Sequence, residues 1–262
     1  MVCRRVALAA LVAAACSSPS ARAALTGFGD FSNFAVNQYD SASSPSLTAG
    51  MIHITNQSSQ ESRSVFALTP QDVTHFTASF TYQATGTPTN GFGACFVIQN
   101  SGQGSAEVAT TSFSSNKFGY GDFSQSFIHS IGVSLEYGSL SSTSSSTGLY
   151  TNGLVGGGSM DISPLNPFSG DPINVTLVYN GSLLHETLLD TVTSASFGAT
   201  YALNIPATVS GSTVYVGVTA SSGFNSSVDQ YISNFQFTSA VPEPATAGVI
   251  AIGGLLLMRR RK

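Results

Sequence analysis

Phe76-Thr77-Ala78-Ser79-Phe80-Thr81-Tyr82-Gln83 alternates apolar and polar side chains residue by residue. Successive side chains of a strand point to opposite faces, so this run sets an aromatic row on one face and hydroxyls on the other. Ile173, Val175, Leu177 and Tyr179 alternate in the same way with Asn174 and Thr176, and Asn180-Gly181 ends the run with a type I′ hairpin signal. Leu183 to Leu189 can return beside it. Val214, Val216 and Val218 predict another strand, and Tyr231, Ser233, Phe235 and Phe237 a last one. No stretch between the two ends carries a convincing apolar stripe at helical spacing. Many short strands in one body predict a single all-β sandwich.

Composition agrees. Of 262 residues only 8% are charged, against 42% hydrophobic and 10% aromatic, with a formal net charge of −4. So few charges exclude a coiled coil, long solvated helices and a basic nucleic-acid binder, and the aromatics exclude a disordered chain. The cations sit at the ends. Arg4, Arg5 and Arg22 open the chain, Arg259, Arg260, Arg261 and Lys262 close it, and only Arg63 and Lys117 lie between.

The first segment reads as an export signal: a cationic start, an apolar run from Val6 to Ala15, and Ala21-Arg22-Ala23 as an A-x-A site that predicts cleavage between Ala23 and Ala24. A lipoprotein signal with Cys16 as the lipidated residue is the alternative. At the other end, Pro242-Glu243-Pro244 precedes an apolar stretch from Ala247 to Met258 and then the Arg cluster. This order resembles the PEP-CTERM sorting signal of Gram-negative bacteria. The resemblance implies an exported protein held at the inner membrane by a short C-terminal helix until an exosortase processes it. Its destination is then the cell surface or the extracellular space. The expected organisation is a signal peptide over 1–23, a sandwich over 24–240 and a sorting segment over 241–262.

Between the tails stand twelve acids and two bases, which makes the body −10. Such a surface repels nucleic acid. Cys95 lies in the apolar run Ala94-Cys95-Phe96-Val97-Ile98 and reads as a buried free thiol. Arg63 has Glu61 or another carboxylate as a candidate partner, with a surface pair of little energetic consequence as the alternative, and the run from Ser139 to Ser146 reads as an exposed loop.

Several segments together resemble the legume-type (L-type) lectin domain. Gly91-Phe92-Gly93-Ala94-Cys95-Phe96-Val97-Ile98-Gln99-Asn100 is similar to its A-D-G-F-A-F-V-I-Q-N strand. Phe118-Gly119-Tyr120-Gly121 and His129 to Tyr137 resemble its L-G-Y-G and N-S-V-A-V-E-F-D-T segments. Asp171 to Gly181 is similar to its back-sheet hairpin, Val214 to Gly223 to its A-Y-V-G-F-T-A-S-T-G, and Ile232-Ser233-Asn234-Phe235 to its closing I-x-N-W. The resemblance implies a concanavalin A-like jelly roll whose loops at one rim bind sugar. It also implies an Asp carboxylate, an Asn or backbone donor and a stacking aromatic there, held by calcium and a transition metal through a Glu-x-Asp pair.

The pattern departs from the family at those positions. Phe92 stands at the Asp position, and a two-residue shift offers Asn90-Gly91, an amide for a carboxylate. Ser134 stands for the Glu of the metal pair and Glu136 for its Asp. Calcium takes several oxygen ligands, charged ones among them, and Glu136 is the single charged candidate, so no metal or other cofactor is expected. Sugar contact is expected from Asn90, Gly91, Gly93, Asn152 and Asn225, with Tyr137, Tyr150 and Phe224 as stacking platforms. Core packing is the alternative for the aromatics and a turn for Asn152-Gly153. Glycoside hydrolysis needs two flanking carboxylates, and the strand around Glu136 has no second acid at i±2 or i±4, so no enzyme is expected. The expectation is a lectin-like protein that binds extracellular polysaccharide. A structural matrix protein without a specific sugar is the alternative.

Overall fold

A computed structural model describes residues 24–39, 44–58, 60–87, 92–110, 118–121, 126–137, 145–155, 158–222 and 227–239. Ala24 is the first of these. Ala23, Asn90, Gly91, Phe224, Asn225 and the sorting residues Pro242, Glu243, Pro244, Arg259, Arg260 and Arg261 lie outside them. Among the described residues no helix is long and apolar enough to cross a membrane.

The strands are β1 Leu25–Thr26, β2 Phe34–Gln38, β3 Ser46–Thr48, β4 Met51–Thr55, β5 Ser62–Ala67 and β6 Gln71–Asp72. They continue with β7 Phe76–Thr87, β8 Phe92–Gln99, β9 Ser130–Tyr137, β10 Ser145–Thr151 and β11 Met160–Asp161. The last are β12 Ile173–Tyr179, β13 Leu183–Asp190, β14 Ser196–Ala202, β15 Thr213–Ser221 and β16 Ser227–Ser239. They form two antiparallel sheets. Sheet A runs β14-β13-β12-β7-β16-β4-β3 with β1 on β16, and sheet B runs β11-β10-β9-β8-β15-β5-β2 with β6 on β15. A single helical turn, α1 Ile205–Thr208, follows β14. Asn204 caps it by accepting from Ala207 N.

Period-two burial builds the core between the sheets. Phe76, Ala78, Phe80, Tyr82 and Ala84 of β7 face inward and meet Phe96, Ile98, Val133, Val216 and Val218 of sheet B. Three expectations change. The 180–181 hairpin forms, but only Gly181 of the pair has positive φ, so the turn is not type I′. Asn180 Oδ1 instead accepts from Ser182 N and Leu183 N. Ser145 and Ser146 belong to β10 and are buried, not looped out. Arg63 and Glu61 do pair, at 3.1 Å, but both side chains are fully buried. At that depth, breaking the pair by removing one partner leaves a buried charge and costs far more than at a surface.

The outer face of sheet A is built differently. Register places Ser233, Thr81, Asn174, Leu189 and Ser196 in one row, Gln236, Ser79, Thr176, Thr187 and Gly198 in the next, and Thr238, Thr77, Val178, His185 and Thr200 in a third. None of these residues is Asp, Glu, Lys or Arg.

Sheet B is close-packed, and glycine marks its tight points. A Cβ at Gly217 would stand 2.7 Å from Phe66 Cδ1 and 2.8 Å from Phe66 Cα. Gly217→Ala is expected to destabilise the fold by about 1–3 kcal/mol and lower Tm by about 3–10 °C. Gly198→Ala, whose Cβ meets Glu186 O at 3.6 Å, should leave Tm nearly unchanged in the same thermal melts.

Candidate functional site

A second apolar cluster covers the outside of sheet B. Phe66, Cys95, Val97 and Tyr150 project from the strands and meet Ala109, Phe118, Tyr120 and Phe127 from the connecting segments. The 118–121 segment can lie this close because Gly119, at φ 66°, presents no side chain to the strand; a Cβ there would be 2.5 Å from Ala220 O. Thr219 Oγ1 donates to Phe118 O at 2.7 Å and fastens it. Gly132 makes room beneath, since a Cβ would stand 3.0 Å from the Tyr120 ring and 2.6 Å from Cys95 Sγ. Burial pushes the Cys95 thiol well above its ordinary value, with Glu136 and Glu186 adding to the shift. A thiol so placed is no nucleophile.

One end of sheet B collects the segments on which the sugar site is expected. Phe92 pairs with Tyr137, Gly93 with both Glu136 and Ser221, and Ser145 with Tyr137. The chain therefore enters β8 and β10, and leaves β9 and β15, at one rim. A buried polar network underpins it: Tyr82 OH donates to Gln230 Oε1 at 2.8 Å, and Gln230 Nε2 donates to Thr55 Oγ1 and Ser221 O, each at 2.9 Å. Ser222 Oγ accepts from Glu61 N at 2.9 Å, beside the Arg63 pair.

Glu136 is the carboxylate at this rim. Oε1 accepts from Tyr150 OH at 2.8 Å and from Ser134 Oγ at 3.0 Å. Burial of the Tyr150 ring, and after it the Glu136 charge, hold that phenol far above its usual range, so it stays a donor. This set does not fit calcium. Ser134 supplies a hydroxyl where the resemblance implies a carboxylate, and Glu136 Oε1 already receives two hydroxyl protons. Among the described residues no three His, Cys, Asp or Glu gather in a metal-binding group.

The expected sugar contacts are placed as follows. Gly93 is at the rim with φ 148°, and a Cβ there would collide with Leu135 O. Tyr150 is a correction: its ring is buried and its hydroxyl engaged by Glu136, so it offers no stacking face. Tyr137 stands at the rim half-buried, its ring meeting Phe168 edge-on at 5.6 Å and packing against the core between the sheets, as the core-packing alternative has it. Asn152 is a second correction. It lies at the other end of β9 and β10, about 20 Å from Glu136 along the strand, where its backbone N donates to Ser130 O at 2.9 Å. With φ 56° at Asn152 and 69° at Gly153, the pair is a turn that returns Leu154 to Thr151.

A second carboxylate went unnoticed in the sequence. Glu186 lies on the inward face of β13, where alternation with Leu184 and Leu188 could have placed it. Its Oε2 accepts from Tyr201 OH at 2.7 Å, and its Oε1 lies 2.8 Å from Thr147 Oγ1. Thr147 Oγ1 is also 2.7 Å from Ser134 O. One hydroxyl proton cannot serve two acceptors, and a protonated Glu186 satisfies both contacts. Burial accordingly raises the Glu186 pKa to about 7, against the lowering effect of the bonds from Tyr201 and Thr147.

No protein-family model and no curated protein sequence matches the chain. Solved structures do. The seed lectin of Lotus tetragonolobus has a TM-score of 0.66 at 18% identity, covering 85% of this chain and all of that one. The lectin of Bauhinia forficata in complex with GalNAc has 0.62 at 14%, covering 83% and 99%. Arcelin-5, a lectin-like defense protein of Phaseolus vulgaris, has 0.64 at 13%, covering 84% and 99%. The fold is a legume-lectin, concanavalin-like β-sandwich.

Two substitutions probe the two carboxylates. Tyr150→Phe withdraws one donor from buried Glu136 and should cost about 1–3 kcal/mol in urea unfolding. Glu186 binds its proton more tightly folded than unfolded, so its stabilising effect is complete below the unfolded value of 4.5 and is lost as pH rises to about 7. The loss amounts to about 3 kcal/mol. Glu186→Gln should remove that slope between pH 4.5 and 7, whereas a variant curve parallel to the wild-type one would contradict the assignment.

Proposed function

We propose that the chain is an exported, non-enzymatic, lectin-like protein that binds extracellular polysaccharide weakly at the rim formed by the ends of β8, β9, β10 and β15. The observation that carries this reading is the rim itself. In a legume-lectin-type sandwich it is held rigid from below by the Gln230 and Arg63–Glu61 networks, and its carboxylate is fixed by Tyr150 and Ser134. A preorganised rim loses little conformational freedom on binding, which suits ligands that contribute many weak hydrogen bonds.

The two carboxylates near β9 and β10 favour binding over hydrolysis. Glu136 faces the outside of sheet B and Glu186 the space between the sheets, so they cannot flank one glycosidic bond as an acid and a nucleophile or base must. With Tyr150 buried and Asn152 at the far end of the sheet, the sugar contacts fall to Asn90, Gly91, Gly93, Tyr137, Phe224 and Asn225. Export rests on the Ala21-Arg22-Ala23 site. Handling by an exosortase and a temporary inner-membrane hold rest on Pro242-Glu243-Pro244 with its apolar run and Arg259, Arg260 and Arg261.

A glycan array probed with the full-length protein, in calcium and in EDTA, tests the reading. Binding should be equal in both conditions, and Asn90→Ala should reduce it about fivefold, the effect of one lost hydrogen bond. Binding abolished by EDTA would overturn the metal-free rim. Failure to bind under either condition would favour a matrix module without a sugar ligand.

A further inference from the structure

The outer face of sheet A holds a shallow groove of about 330 Å³ across β7, β12 and β16, lined by Ser79, Thr81, Asn174, Thr176, Asn234 and Gln236. We propose that this groove is a second carbohydrate site, which takes a neutral polysaccharide chain by its hydroxyl groups. The ligand class follows from the function proposed above, whereas the site is separate from the rim.

The backbone is shaped for the groove. The pairing of β16 with β7 shifts register between Ser233 and Gln236, and Asn234 in the shift has φ 54°. A bulge of this kind re-aims a side chain out of the regular alternation, and Asn is among the few residues that accept this backbone conformation. Asn234 Nδ2 donates to Thr81 Oγ1 at 3.2 Å, and Thr81 Oγ1 donates to Asn174 Oδ1 at 2.9 Å. This relay orients both amides. It uses the acceptor of Asn174 and a donor of Asn234, leaving the amide protons of Asn174 and the carbonyl of Asn234 to a ligand. A sugar hydroxyl, both donor and acceptor, matches that alternation.

Charge selects a neutral ligand. The body carries twelve acids against two bases, yet the rows that cross the groove contain no Asp, Glu, Lys or Arg. An acidic polymer would find no cation here. A neutral one displaces water from amides and hydroxyls without burying a charge. An aromatic pair stands beside the groove: His53 of β4 stacks on Tyr231 of β16 with centroids 4.5 Å apart and planes 15° apart. Asp229 Oδ1 lies 2.7 Å from His53 Nε2, and Asp229 Oδ2 accepts from Gln57 Nε2 at 2.7 Å. Tyr231 is two residues from Ser233 on the same face, about 7 Å along the strand. That is a short step for a chain of sugar rings, whose apolar faces pack on aromatic rings.

The test is affinity electrophoresis of the full-length protein through gels containing dextran, galactomannan or alginate. Asn234→Gly is the decisive variant, because glycine keeps the positive φ while the amide is removed; Gln236→Ala is its companion. Retardation by dextran or galactomannan is expected to persist in Asn90→Ala, which weakens only the rim, and either variant added to that background should weaken it about fivefold with Tm unchanged. Retardation that both variants retain, or that only Asn90→Ala loses, would overturn the back-face site and leave the rim reading standing. Retardation by alginate alone, or by none of the three, would overturn the back-face site, whereas the rim reading stands or falls on the glycan array. A dimer by sedimentation that Asn234→Gly dissociates, with the variant's retardation equal to wild type, would assign the face to a second copy of the chain and overturn the proposal.

Discussion

Sheet B is covered twice, by sheet A on one side and by the 107–110, 118–121 and 126–129 segments on the other, and this double burial constrains the molecule most. Strands so enclosed have no face on which a misplaced atom can escape to water. Glycine is therefore required where a covering segment lies at contact distance, as at Gly132 beneath Tyr120 and Gly119 over Ala220. Polar groups on the same strands must find partners inside the protein, because an unpaired buried one costs the desolvation of that group. Tyr150 with Glu136, Thr219 with Phe118 O, and Thr147 with Ser134 O all answer that requirement.

The same constraint separates the chemistry of the two faces of sheet B. A carboxylate directed outward, Glu136, is fixed by hydroxyls from its own sheet. A carboxylate reaching in from sheet A, Glu186, meets Thr147 across the gap between the sheets and is best satisfied holding a proton. Sheet A has one buried face and one free, so its outer surface can carry a broad hydroxyl and amide lattice that sheet B has no room to display. The contrast between a net-acidic body and the uncharged rows that cross the back-face groove is what gives the groove its selectivity for neutral partners, with Asp229 standing beyond those rows beside His53.

The elements set by local alternation were legible in the sequence: β7, β12, β13, β15 and β16 stand where the apolar and polar residues alternate, and Cys95 is buried as its apolar neighbours suggested. For Tyr137, Tyr150 and Asn152 the sequence left two readings open. Alternation tells which residues share a face and is silent on what covers that face, so an aromatic at a strand end reads equally as a platform or as core. Ser145 and Ser146 show the converse: read as loop, both are buried in β10, where Ser145 Oγ donates to Asn166 Oδ1 at 3.2 Å and Ser146 Oγ has no partner among the described residues. Glu186 is the intermediate case, placed inward by its own strand's alternation but given its proton-bound state only by Thr147 and Tyr201 from other strands.

By itself the sequence determined a β-sandwich, the strands β7, β12, β13, β15 and β16 and the distribution of charge between tails and body, since each follows from residue identity and short-range spacing, while the weakness of the metal ligand set follows from its departures from the lectin pattern it resembles. Only the tertiary structure decided that Asn152 lies at the far end of β9 and β10 from Glu136, that Tyr150 fastens that carboxylate, and that Asn234 is turned into a groove on the opposite sheet. Those are matters of register, of bulges and of what covers each face. They arise from contacts between residues up to 153 positions apart, as Asn234 and Thr81 are, beyond the reach of any local pattern.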